Sequence, residues 1–153
     1  MAIRKAIQTD LAPKAVGPYS QAFQAGETLY VSGQLGIDPI TGKMVEGDTG
    51  AQAHRALLNV QAILTAAGFT LKDVVQVQVF LTDMGDFSQV NEVYKTFFAE
   101  PYPARAALGV AALPVGGRVE IMAIAQRTAK ARPLRSVLHN YQSAEPRFEE
   151  EYI

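Results

Sequence analysis

Apolar residues alternate most plainly near the end of the chain. Val119, Ile121, Ala123 and Ala125 share one side of an extended segment, and Met122 and Ile124 make its other side apolar too. A strand of that kind is covered on both faces, by helices or by another subunit. Glu120 interrupts it, and a carboxylate in such a place is costly unless a charge or a hydrogen bond meets it. Residues 74–81 also alternate, with Val75, Val77 and Val79 separated by Gln76 and Gln78, which predicts a strand with one wetter face. Earlier in the chain, Ile3–Gln8 reads as an edge strand. Ser20–Gln24 and Leu29–Ser32, joined by Ala25-Gly26-Glu27-Thr28, read as a hairpin.

The period then changes. Ala53, Leu57, Val60, Leu64 and Ala67 recur at helical intervals, with Gly68 placed to end the helix and Thr49-Gly50-Ala51-Gln52 spaced as a capping box at its start. Asp86-Phe87-Ser88-Gln89 repeats that spacing before a second stripe of Val90, Val93, Tyr94 and Phe97, which ends ahead of Pro101. A last pair of strands, Ala104–Leu113 and Val119–Gln126, flanks the turn Pro114-Val115-Gly116-Gly117. Strands interleaved with two helices predict a mixed sheet with both helices on one face, an α+β fold. If the last two strands form a hairpin, Glu120 opposes Ala111. Arg105 then stands about 20 Å further along at strand rise, so the two could serve one site only across a subunit boundary.

Composition narrows the chemistry. The 153 residues suit one domain, and 48% hydrophobic with 19% charged residues is ordinary for a globular chain. A net charge of −1 supplies no field for nucleic acid or anionic membranes. The absence of cysteine excludes disulfides, thiolate metal sites and a cysteine nucleophile. With no run of about 20 apolar residues and no apolar signal core at the N-terminus, a cytoplasmic protein without membrane contact is the expectation. The two histidines, His54 and His139, are in no metal-ligand spacing, so no metal is expected. No nucleophile elbow or phosphate loop is present. What remains is Arg105, Glu120, Tyr19, Ser32 and Asn91. Arg105 carries a fixed charge and a planar fork of donors suited to a carboxylate. Its alternative reading, with Glu120, is a rim charge or an internal ion pair. Residues 129–153, with Lys130, Arg132 and Arg135 followed by Glu149-Glu150-Glu151, lack sustained periodicity. They read as a mobile extension or an expression scar carrying at most one helical turn at Ser136–Tyr141.

Several segments, in order, resemble the Rid (YjgF/UK-type) family of imine deaminases from about Ile3 to Thr128. They are Gly17-Pro18-Tyr19-Ser20-Gln21-Ala22, Val31-Ser32-Gly33-Gln34, Asn59-Val60, Val79-Phe80-Leu81-Thr82-Asp83 and Val90-Asn91-x-x-Tyr94. The strongest runs from Pro103-Ala104-Arg105 through Leu113-Pro114 to Val119-Glu120-Ile121. The resemblance implies a chorismate mutase-like α+β fold in residues 1–128, with a six-stranded mixed sheet and two helices on one face. It also implies a homotrimer with a central barrel and clefts between subunits. It implies hydrolysis of 2-imino acids, such as 2-iminobutanoate and 2-iminopropanoate, to 2-keto acids and ammonia with no cofactor.

Position by position, the resemblance makes Arg105 the carboxylate anchor and Glu120 the group that positions or activates water. Tyr19, Ser32 and Asn91 would shape the pocket, and backbone groups at Gly33 and Ala107 would complete it. Two departures stand out. Ala107 replaces a cysteine common in the family, and the segment Ala99–Tyr102 is shorter than in some relatives, which bears on the rim and on substrate size. Rival readings are a non-catalytic trimer that senses 2-keto carboxylates, and a ribonuclease or translation inhibitor. The near-neutral charge and the lack of a histidine pair count against the latter.

Overall fold

A computed structural model describes residues 2–128; the turn expected at Ser136–Tyr141 lies outside the described residues. The strands are β1 (Arg4–Ile7), β2 (Ala22–Ala25), β3 (Thr28–Leu35), β4 (Val74–Leu81), β5 (Ala104–Gly109) and β6 (Val119–Gln126), with helices α1 (Thr49–Ala66) and α2 (Phe87–Phe97). They form one sheet in the order β1-β2-β3-β6-β4-β5, a mixed α+β arrangement as the alternation of periods predicts. Every pairing is antiparallel except β4 with β5.

The expected hairpin between the last two strands does not form. Helix α2 carries the chain back across the sheet, so β5 enters parallel to β4 and takes its outer edge. Strand β6 then crosses to the other side of β4 and pairs with both β3 and β4. Its central place explains its apolar pattern. Val119, Ile121, Ala123 and Ala125 are at most 2% exposed under the helices, while Met122 and Ile124 lie half-buried on the opposite, open face. The same open face carries Phe23 and Tyr30, paired across β2 and β3 and both exposed. β5 stops at Gly109, not Leu113, because its ladder with β4 ends where Leu81 ends that strand.

Both helices bury their stripes in a single core. Ala53, Leu57, Val60 and Leu64 of α1 pack with Val90 and Tyr94 of α2 over Val77, Val79 and Ile121 of the sheet. Their starts differ from the expected capping boxes. Asp48, not Thr49, caps α1 by accepting the Ala51 N–H at 2.8 Å. The Thr49 hydroxyl instead donates to Asp86 Oδ2 at 2.7 Å, and the Gly50 N–H donates to Gln89 Oε1 at 3.2 Å. The polar residues of the two starts are therefore used to join one helix to the other. The end of α1 follows expectation. Gly68 adopts φ 78°, its N–H reaches the Thr65 carbonyl, and the Phe69 N–H reaches that of Leu64, the two bonds of a Schellman motif.

Candidate functional site

Arg105 is on the edge strand β5, level with Val77 of β4. Residues paired across a ladder point to the same face, so Arg105 rises on the helix side of the sheet, where α2 receives it. Its Nη1 donates to Asn91 Oδ1 at 2.7 Å. Its guanidinium carbon lies 4.7 Å from the Tyr94 ring centroid and 5.1 Å from that of Phe87. Phe87, Asn91 and Tyr94 are spaced four and three residues apart and so share one helix face. Arg105 itself is exposed, which removes any cost of burying its charge, and among the described residues it pairs with no carboxylate. Ala107, two residues on, points to the same side and packs partly against the core.

Glu120 lies elsewhere. It is level with Phe80 on β4 and Leu35 on β3, and its side chain occupies the open face. Three residues of rise and two strand spacings separate it from Arg105, on the order of 14 Å between the Cα atoms, with the two side chains on opposite sides of the sheet. Within one chain the two do not meet, and the internal ion pair considered from sequence is absent. The two stay apart as expected, but by about 14 Å and not about 20 Å, and the cause is strand order and facing, not a hairpin register.

Of the other candidates, Gly33 lies against Glu120, and Ser32 and Tyr19 follow from it along β3 and the loop before β2. β3 bulges so that Ser32 and Gly33 together fall between the pairs Val31–Ala123 and Gln34–Ile121. The bulge brings the Gly33 backbone under the Glu120 carboxylate, where a Cβ on residue 33 would stand 2.3 Å from Glu120 Oε1. Glycine is required there for close approach. The Ser32 hydroxyl donates to the Ser20 carbonyl at 2.6 Å, and the Ser32 N–H donates to that of Gln21. These bonds tie β3 to the loop that presents Tyr19. The Tyr19 ring is 52% exposed, and its hydroxyl accepts the Val16 N–H at 3.3 Å. That loop is itself anchored by buried Gln21, which accepts the Thr9 N–H and donates to the carbonyls of Thr9, Ala12 and Pro13. A recess of about 260 Å³ beside Tyr19 and a shallow one of about 300 Å³ over Ser32, Tyr30 and Met122 flank this half-site. A larger hollow, about 720 Å³ between the ends of α1 and α2 and Pro103, contains none of the candidate residues.

Burial raises the Glu120 carboxyl above its ordinary value of 4.5, because desolvation disfavours the charged form. The candidates therefore fall into two half-sites. Arg105, Asn91 and Ala107 form a cationic one at the β5 edge. Glu120, Gly33, Ser32 and Tyr19 form an acidic one on the open face. Phe87 and Tyr94 were absent from the sequence-derived set. Tyr94 reads as an ordinary member of an apolar stripe, and only the shared face with Asn91 could have linked it to Arg105. No group of three potential metal ligands occurs among the described residues, and no described helix is long and apolar enough to cross a membrane.

The geometry of Gly33 carries a first prediction. Gly33→Ala displaces the Glu120 carboxylate, and kcat/KM for the reaction proposed below falls by roughly tenfold or more, as expected when a reacting group moves by about an ångström. Because the displaced atoms are the tip of a flexible side chain, thermal unfolding of the variant stays close to that of the parent.

The family model described as Endoribonuclease L-PSP matches residues 9–127. A 2-iminobutanoate/2-iminopropanoate deaminase of Mus musculus is 55% identical over 123 residues, covering 80% of this chain and 91% of the relative. Among solved structures, RidA from an Antarctic Psychrobacter sp. superimposes with a TM-score of 0.78 at 55% identity, covering 81% of this chain and 100% of the other. E. coli TdcF with bound serine superimposes with a TM-score of 0.77 at 44% identity, covering 81% and 99%.

Proposed function

The chain belongs to the endoribonuclease L-PSP family, the YjgF/Rid family, and on that premise we propose that it hydrolyses 2-imino acids to 2-keto acids and ammonia. The observation that carries this reading is Arg105, a guanidinium held by two aromatic rings and Asn91, with no carboxylate partner among the described residues. A planar cation kept available in this way suits a small planar carboxylate. The deaminase names of relatives more than half identical support the same reaction.

In the proposed reaction the substrate carboxylate binds Arg105 through paired N–H···O bonds. Glu120, as the ionised base, accepts a proton from water as the oxygen adds to C2. Glu120 passes that proton to the imine nitrogen to give a carbinolamine. Its hydroxyl proton then moves by way of Glu120 to the nitrogen as the C–N bond breaks, which releases ammonia and leaves the 2-keto acid. Tyr19, Ser32, Gly33, Asn91 and Ala107 line the substrate. No metal or cofactor takes part in this scheme. Orientation and electrostatic complementarity supply most of the effect.

A site containing both half-sites needs two copies of the chain, because Arg105 and Glu120 rise from opposite faces of one sheet. The proposed assembly is a homotrimer in which the open faces line a central barrel. The exposed aromatic side chains of Phe23 and Tyr30, beside the half-buried Met122 and Ile124 on that face, support its being covered. Among the described residues no strand pairs with the outer edge of β5, which supports assembly with another copy there. Residues 1–128 form the functional unit in this scheme, with 129–153 as an extension to it.

The direct test generates 2-iminobutanoate with a threonine dehydratase in the presence of semicarbazide. The protein is expected to suppress semicarbazone formation by draining the imine to 2-ketobutanoate. Binding of 2-ketobutanoate without suppression would replace the enzyme reading with a carboxylate sensor. The pH dependence gives a second test. As the ionised base, Glu120 is active above its pKa, so the rate over background falls as the pH drops through a value above 4.5. Glu120→Gln removes that acid limb from the profile of kcat/KM.

A further inference from the structure

Tyr94 combines two properties that core packing alone does not account for. It is 4% exposed, yet its ring supports the exposed guanidinium of Arg105. Its hydroxyl is buried and has no hydrogen-bond partner among the described residues, although a buried tyrosine normally finds one. Arginine on an edge strand has several rotatable bonds and no fixed direction of its own. Here one donor is taken by Asn91, and the Phe87 and Tyr94 rings, from the same face of α2, limit the plane that the group can adopt.

We infer that Tyr94 is a positioning residue for Arg105, its ring acting with Phe87 to set the guanidinium plane so that the N–H groups not used by Asn91 face an incoming carboxylate. This rests on the proposed role of Arg105 as anchor. The ring face is the working part and the hydroxyl is not. An aromatic platform attracts the cation without neutralising it, whereas an acidic partner would compete with the ligand. The phenol does not become such a competitor, because burial raises its pKa above 10.0.

The test compares Tyr94→Leu, which keeps apolar bulk but removes the π face, with Tyr94→Phe, which keeps the face and removes only the unpartnered hydroxyl. Tyr94→Leu is expected to weaken 2-ketobutanoate binding by about two- to fivefold, the worth of a cation–π contact to an exposed guanidinium, and to raise KM more than it lowers kcat. Tyr94→Phe restores both quantities. The Arg105 side-chain Nε–H resonance, shifted by the ring currents in the parent, moves toward its free position in Tyr94→Leu. Equal losses in Tyr94→Phe and Tyr94→Leu would overturn the inference by making the hydroxyl the operative group. Unchanged affinity and an unchanged Arg105 resonance in folded Tyr94→Leu would overturn it as well.

If Tyr94→Leu does not fold, Phe87→Leu takes its place. A shift of the Arg105 resonance with weaker binding then supports the platform, and no change in either overturns it. If the parent protein binds no 2-ketobutanoate, the proposed function has failed at its ligand. The Arg105 resonance in the variants then decides the positioning role alone.

Discussion

Arg105→Ala is expected to lower kcat/KM for 2-iminobutanoate by about 10³-fold, measured as lost suppression of semicarbazone formation. Two hydrogen bonds between a guanidinium and a carboxylate contribute about 1.5–3 kcal/mol each, which is enough for that factor. The variant should fold as the parent does. Arg105 is exposed and makes no ion pair among the described residues, so its removal leaves no buried charge behind. Arg105→Lys separates charge from geometry. Lysine keeps the positive charge but has neither the planar fork nor the same fit to the Phe87 and Tyr94 rings. Its activity should fall between those of the parent and the alanine variant. If Arg105→Lys matches the parent, a point charge is sufficient and paired recognition of the carboxylate is wrong. If Arg105→Ala retains activity, the anchor lies elsewhere and the proposed mechanism fails.

The largest effect on stability is expected at Asn59. This residue of α1 is fully buried. Its Nδ2 donates to the carbonyls of Leu35 and Ile37 at 3.1 and 2.9 Å, and its Oδ1 accepts the Arg55 Nε–H at 3.1 Å. These bonds hold the segment that leaves β3, just beyond the bulge at Ser32 and Gly33, against the helix. Asn59→Leu keeps the branching and heavy-atom count of the side chain but removes the donor, leaving two carbonyls without their partner. At about 1–3 kcal/mol for each unsatisfied buried group, the loss is about 3–5 kcal/mol, a large share of a typical domain's stability. Thermal unfolding at fixed protein concentration should show a decrease of about 10 °C. A decrease within about 2 °C would mean that the carbonyls find water or that the segment rearranges. Because this segment sets the position of the Gly33 backbone under Glu120, activity should also fall at temperatures where the variant is still folded.

Much of the secondary structure can be read directly from residue spacing. α1 and its glycine end, and the bounds of β4 and β6, follow from local periodicity, because a residue's neighbours three or four positions away, or two away, determine which face it shares. The expected alternation of Val75 with Val77 and Val79 fails, because an irregularity between Val74 and Gln76 leaves Val75 exposed and buries Val74 instead. The capping boxes could not be read in the same way. Thr49 and Gln89 have the right spacing to cap their own helices. In the fold, Thr49 donates to Asp86, and Gln89 accepts from Gly50, because the two helix starts lie side by side. The buried amides of Gln21, Gln52 and Asn59 were similarly hidden, since a polar residue in an apolar stripe carries no label naming its distant partner. The unit β4–α2–β5 did carry a usable signal. A strand, a helix and a strand favour parallel pairing through a crossover, and that would have ruled out the simple hairpin.

The sequence alone determined the α+β alternation, the lack of thiol chemistry, and the candidates Arg105 and Glu120, whose residue types and motif context stand out locally. It also determined the apolar character of β6 on both faces. The tertiary structure decided what those residues can do together. Insertion of β6 between β3 and β4 separated Glu120 from Arg105, and the two-residue alternation of strands put their side chains on opposite faces. The bulge at Ser32 and Gly33 fitted the backbone under Glu120, and the parallel entry of β5 delivered Arg105 to Phe87, Asn91 and Tyr94. The physical reason is one of range. Periodicity and turn chemistry are settled within a few residues, whereas strand order and facing are settled by which distant apolar surfaces are buried against each other.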